Sequence, residues 1–316
     1  MDKKLFLAQP RGFCAGVRRA IATVERALAL FGKPVYIRHE IVHNTYVLDD
    51  LRQKGAVFIE ELDEAPPGSV LVFSAHGVSK HVKAEAQKRE LRVFDATCPL
   101  VTKVHMEVAL MRKNDMEVVV IGHHDHPEVK GTMGQSDAGM HLVEDREDIK
   151  KLRIPHQGKV AYVSQTTLSV DDTKEVIAAL QAHFPAIRAP QKEDICYATT
   201  NRQEAVRKLA EHVSLIIVVG SPNSSNSNRL KEVADKRGIA AYMVDSASEI
   251  RQKWLDGHTA IGVTAGASAP EILVEEVVWK LGTYGFSHVE ELEGIRENLS
   301  FPLPAGLVRG ACTKMG

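Results

Sequence analysis

Three cysteines, Cys14, Cys98 and Cys196, each open a stretch with helical periodicity. The clearest case is Cys98. LRVFDA before it reads as a short buried strand, and Val101, Val104, Val108 and Met111 recur after it at helical spacing. A thiol at a helix N-terminus meets unpaired N–H groups and the positive end of the peptide dipoles, which favour a thiolate. Thiolates ligate metals or act as nucleophiles. A single cysteine is more often a small buried hydrophobe, so the weight falls on whether the three are equivalent.

Spacing makes them so. Cys14 is followed by His43 after 29 residues, Cys98 by His126 after 28, and Cys196 by Ser225 after 29. A second polar position follows each: His76 after 33 more residues, Thr166 after 40, Ser268 after 43. The elements between them repeat too. A helix leads to a strand (PVYIR, EVVVIG, LIIVVG), a polar loop (HEIVHN, HHDHPEVKG, SPNSSNSNR), a second strand, and a third strand ending in Ala75-His76-Gly77, Gln165-Thr166-Thr167 or GASAP. Alternating strands and helices imply parallel sheets covered on both faces, with ligands outside the carboxyl ends of the strands. The fold class expected is therefore α/β: three similar modules with mostly parallel sheets, arranged pseudo-threefold around a central cavity. The boundaries read as 14–97, 98–194, and 1–13 with 195–282. Beyond Gly282, Pro302, Pro304 and Gly306 interrupt a weaker pattern, and the tail at 283–316 is expected to wrap or fray.

The chain has 316 residues, 44% of them hydrophobic, enough for a sizeable core. Lys plus Arg number 40 against 41 Asp plus Glu, a net charge of −1. No basic excess therefore argues for nucleic acid or an anionic membrane as partner. The N-terminus has too short an apolar run for a signal peptide, and the apolar runs are strand-sized, well below the roughly 20 residues of a membrane span. Four cysteines make no disulfide scaffold, so a reducing cytoplasm is expected.

Three thiolates in one cavity repel each other unless a cationic centre holds them. None of the cysteines has the close C-x₂-C spacing of ferredoxins or zinc ribbons, so the metal inference rests on the repeat. Three sulfurs on a cubane cluster leave one corner open to a substrate oxygen, whereas a fourth ligand would make an electron-transfer site. Cys312 stands outside the repeat and reads as a free or structural thiol. Around the centre, His43, His76, Ser224, Ser225, Asn226 and Ser268 form a set of neutral or weakly basic donors suited to an anion. Ser221, Ser227 and Asn228 read as helix-capping residues. In the loop Gly122–Glu128, His126 aligns with His43. Glu128 lies two residues further on, where a dry site would raise its pKa and make it a proton donor. H-x-H-x-E, His124 to Glu128, is also a weak zinc pattern.

PRGFCAGV, SAHGVS, DATCPLVTKVH, GHHDHPEVKGTMGQ, SQTTLSVDDT, DICYATTNRQEAV, GSPNSSNSNRL and VTAGASAP, in this order, resemble the 4-hydroxy-3-methylbut-2-enyl diphosphate reductases, the IspH/LytB family, over about residues 5–282. The resemblance implies an iron–sulfur oxidoreductase at the last step of the non-mevalonate isoprenoid pathway. It would remove an allylic hydroxyl reductively to give isopentenyl and dimethylallyl diphosphates. It implies one [4Fe-4S] cluster on Cys14, Cys98 and Cys196, with the substrate hydroxyl at its open iron. Diphosphate-binding groups fall on His43, His76, His126, Ser224, Ser225, Asn226 and Ser268, Thr166 lies near the substrate hydroxyl, and Glu128 is the proton donor. Cys312 matches no cluster ligand. A single-electron donor such as ferredoxin or flavodoxin is implied, since no nicotinamide or flavin fingerprint is present. Two other readings of the residues stay open: a hydrolase with zinc on the three sulfurs, and a phosphometabolite sensor without turnover.

Overall fold

The computed structural model describes residues 3–156 and 158–308; Cys312 lies outside them. Among the described residues, twelve strands form three separate sheets, and every strand pairing is parallel. The first sheet has the order β3-β2-β4-β5, from β2 (Val35–Arg38), β3 (Ala56–Ile59), β4 (Val70–Phe73) and β5 (Arg92–Asp95). The second has the order β7-β6-β8, from β6 (Glu117–Ile121), β7 (Met140–Val143) and β8 (Val160–Ser164). The third has the order β10-β9-β11-β1-β12, from β1 (Lys4–Leu7), β9 (Leu215–Val219), β10 (Ala240–Val244), β11 (Ala260–Ala265) and β12 (His288–Glu291).

One winding is used three times. The chain enters at β2, β6 or β9, steps outward to β3, β7 or β10, then crosses back to β4, β8 or β11 on the other side. A fourth position in each sheet leads towards a cysteine: β5 to Cys98, β1 to Cys14, and a lone parallel bridge between Ala161 and Arg188 stands beside β8 on the way to Cys196. The N-terminal strand thus completes the sheet built from the last third of the chain. β12, which comes from the weakly patterned tail, extends that sheet by pairing with β1.

Apolar strands run continuously because each sheet is buried on both faces. Along β9, Leu215, Ile217 and Val219 face one core while Ile216 and Val218 face the other. Along β6, Val119 and Ile121 divide from Val118 and Val120 in the same way. In the first sheet, Ile37 and Val72 pack opposite Leu71 and Phe73. Each such side chain removes apolar surface worth roughly 1.5–3 kcal/mol, which fixes the register of the strands and so the position of their ends. No helix among the described residues is long and apolar enough to cross a membrane.

Candidate active site

Cys14, Cys98 and Cys196 occupy the same place in their modules: each is the N-cap of a helix, α1 (Ala15–Phe31), α4 (Pro99–Lys113) and α8 (Tyr197–Leu209). The remaining polar residues lie where the winding reverses, at the carboxyl ends of the two inner strands. His43 follows β2, His126 caps α5 (Pro127–Met133) after β6, and Ser224 caps α9 (Ser225–Lys236) after β9. His76, Thr166 and Ser268 follow β4, β8 and β11. Strand order reverses at these points, so neighbouring helices diverge and leave a crevice. Three crevices open on one cavity of about 100 Å³, and its lining includes Cys14, Cys98, Cys196, His43, His76, His126, Glu128, Thr166, Ser224, Ser225, Asn226 and Ser268. A larger groove, about 860 Å³, runs along α4 past Met106 and Leu110 and is lined by neither cysteine nor histidine.

The three thiols are free and half-buried, their open side being the cavity. A methyl group at Gly16 would stand 2.7 Å from Cys98 Sγ and 3.8 Å from Cys14 Sγ, so only glycine leaves room for both sulfurs here. The backbone N–H groups of Leu100 and Val101 favour the Cys98 thiolate, as expected of a helix start, but burial outweighs them. Burial first and the neighbouring Cys14 second push Cys98 up to about 12, and the same causes push Cys196 up to about 11. Desolvation outweighs the weak field of a helix end. Three thiols brought to one cavity, which would repel one another as thiolates, fit a cationic centre that would compensate their charge. Among the described residues, no three His, Cys, Asp or Glu side chains gather with the spacing of a single-ion site.

Opposite the thiols, His43 and His76 stack with ring centroids 4.2 Å apart, and His126 meets them edge-on at 5.4 and 5.6 Å. Burial, then His43 and His126, hold His76 well below the ordinary histidine value, and burial and His43 lower His126 to about 3. The His126 Nδ1 accepts the Glu128 N–H (3.2 Å), which leaves the proton of the neutral ring on Nε2. Ser268 Oγ donates to the His43 carbonyl (2.8 Å), and the Ala267 N–H donates to Asn226 Oδ1 (2.8 Å). Ser225 Oγ exchanges bonds with the Thr167 hydroxyl (3.1 Å) and carbonyl (3.2 Å). Together with the N-terminus of α9, these groups form a donor-rich wall suited to an anion.

Glu128 sits in the first turn of α5 and is 4% exposed. Its Oε1 accepts the Thr166 N–H (2.6 Å) and its Oε2 the Thr166 hydroxyl (3.0 Å). Burial raises its pKa to about 7 against the pull of both Thr166 bonds. A carboxyl poised near neutrality at the rim of a dry cavity is suited to give up a proton. The H-x-H-x-E pattern does not assemble: His124 is exposed and turns to Asp125, while His126 and Glu128 line the cavity. Ser221, Ser227 and Asn228 bond to Asp245, Ser224 and the Pro222 carbonyl and hold the loop rather than line the cavity.

A family model described as LytB protein matches residues 5–282. The chain belongs to the LytB family. A relative from Burkholderia mallei, named 4-hydroxy-3-methylbut-2-enyl diphosphate reductase 2, is 62% identical over 306 residues, covering 97% of this chain and 94% of its own. The solved E-1-hydroxy-2-methyl-but-2-enyl-4-diphosphate reductase of Plasmodium falciparum superposes with a TM-score of 0.94 at 40% identity, covering 97% of each chain. A solved (E)-4-hydroxy-3-methyl-but-2-enyl diphosphate reductase, described as the terminal enzyme of the non-mevalonate pathway, gives 0.63 at 32% identity, covering 89% of this chain and 99% of its own.

Several residues of this LytB family chain that hold the site were not singled out from its sequence. Thr199, one turn into α8, bonds Cys196 Sγ (3.3 Å) and receives the Asn226 amide (3.3 Å), linking thiol to donor wall. Glu40 bonds both His43 (2.8 Å) and Asn223 (2.7 Å). Both stand three residues from a residue that was singled out, a spacing that could have flagged them. Arg202 could not be found that way. Buried at 1% exposure, it donates to the carbonyls of Gly12 and Ala198 and pairs with Glu297 of the tail. It thereby ties the Cys14 and Cys196 segments to one another.

Proposed function

We propose that this chain is a 4-hydroxy-3-methylbut-2-enyl diphosphate reductase: it removes the allylic hydroxyl of (E)-4-hydroxy-3-methylbut-2-enyl diphosphate to yield isopentenyl and dimethylallyl diphosphates. The observation that carries the reading is the union, in one cavity, of three thiols, a wall of hydrogen-bond donors and one carboxyl whose pKa burial raises to about 7. Each corresponds to one part of such a substrate or of the chemistry it requires.

His43, His76, His126, Ser224, Ser225, Asn226 and Ser268 take the diphosphate, and the binding free energy gained there orients the five-carbon chain. Cys14, Cys98 and Cys196 would hold a [4Fe-4S] cluster. When bound, this group would supply electrons one at a time and a Lewis acid for the departing hydroxyl. Glu128 delivers the proton with which that hydroxyl departs as water, and the Thr166 hydroxyl, bonded to Oε2, positions the carboxyl against it. Loss of water costs two electrons and two protons overall. A one-electron carrier protein of the ferredoxin or flavodoxin type supplies the electrons.

Anaerobic purification followed by a visible spectrum and iron and sulfide analysis tests the reading. Wild type is expected to be coloured and to reduce the diphosphate substrate, and Cys98→Ser to lose the iron–sulfur absorption together with turnover. An active, colourless, zinc-containing protein would make it a hydrolase. Tight diphosphate binding without turnover under a strong reductant would make it a sensor.

A further inference from the structure

Among the three stacked histidines, His43 alone touches a carboxylate. Glu40, in the loop after β2, places Oε2 2.8 Å from His43 Nδ1 and 2.7 Å from the Asn223 amide nitrogen. It thus ties a donor loop of the first sheet to the donor loop of the third. An ionised carboxylate only accepts, so Nδ1 of His43 carries a proton. On the far side of the ring, Nε2 is buried and has no hydrogen-bond partner. A ring that also donates Nε2–H to an anion is doubly protonated, and such a ring needs a counter-charge.

We propose that Glu40 is the positioning residue of the anion site: it accepts the Nδ1–H of His43, aims the Nε2–H at the bound diphosphate and balances the charge of the doubly protonated ring. This rests on the reading that the cavity takes a diphosphate. The groups facing His43 from the other elements cannot replace Glu40. His76 bonds through Nδ1 to the Ser74 hydroxyl (3.3 Å), His126 accepts a backbone N–H, and burial keeps both rings uncharged. Ser268 donates to the His43 carbonyl and bonds the Ser224 hydroxyl. His39, beyond His76, pairs with Glu60 on the surface. Glu40 itself is held below the usual carboxylate range, first by its bond to His43 and further by Asn223 and Arg52 of α2 (Thr45–Lys54).

The test is calorimetric binding of inorganic diphosphate to the anaerobically purified wild type, Glu40→Gln, Asn223→Ala and His43→Ala between about pH 6 and pH 9. Glu40→Gln keeps the shape and an acceptor for Asn223 but removes the charge. It is expected to weaken binding about tenfold at about pH 8 and to move the alkaline loss of binding down by about one pH unit. Asn223→Ala, which leaves the carboxylate on His43, is expected to weaken binding less and to leave that pH limb in place. If His43→Ala loses binding while Glu40→Gln matches wild type in affinity and pH limb, the role of Glu40 is overturned and the anion site stands. Weakened binding with an unmoved limb overturns the counter-charge as well, leaving Glu40 a tether between loops. No binding by the wild type, or full binding by His43→Ala, overturns the site and this proposal with it.

Discussion

Replacing Glu128 by Gln separates two consequences of one buried carboxyl. In the wild type this group ionises at about 7 instead of near 4.5 because the folded chain strips water from it. A carboxyl whose folded pKa is raised binds more protons folded than unfolded over that interval, so stability falls as pH rises from 4.5 towards 7 and stays reduced above it. At about 1.4 kcal/mol per pH unit, the ionised form costs roughly 3 kcal/mol at about pH 8. The carboxamide keeps an acceptor for the Thr166 N–H and carries no charge to desolvate. Glu128→Gln is therefore expected to match wild type near pH 5 and to exceed it by roughly 3 kcal/mol near pH 8 in urea unfolding. Turnover should fall by about a hundredfold or more, the usual contribution of a positioned acid. Turnover within a few-fold of wild type would refute the donor role, and a stability difference that does not grow with pH would refute the account of the raised pKa.

Two further perturbations test the frame around the cavity. Gly16→Ala places a methyl 2.7 Å from Cys98 Sγ; iron and sulfide content should drop sharply while the far-ultraviolet circular dichroism is retained, and full iron content would show that the sulfurs can move aside. Glu297→Ala leaves Arg202, 1% exposed, without its carboxylate. The expected loss is roughly 3 kcal/mol in denaturant unfolding, the penalty of an uncompensated buried charge, against no measurable change if the tail only lies on the surface.

The donor wall was legible in the chain because its residues follow an apolar strand or sit at the start of a helix. His76, Thr166 and Ser268 follow strands that are buried at all but their first residue or throughout, and Ser224 and His126 precede helices in the ordinary manner of caps. β12 was not legible. His288–Glu291 is exposed along its whole length, so no alternation marks it, and its pairing with β1 joins residues 284 apart. Glu297 and Arg202 were silent for the same reason, being a surface-type acid and base until the fold brings them together.

Periodicities of 3.6 and 2 arise within a single element, so the sequence by itself determined most of the helices and strands, their threefold repetition and the three thiols at helix starts. Ionisation and closure arise between elements. The raised values of Cys98 and Cys196, the carboxylate behind His43 and the pairing of β12 with β1 depend on how much water neighbouring segments exclude and which distant groups they bring near. Only the tertiary structure decides those, because desolvation and pairing belong to the space around a group and not to its place along the chain.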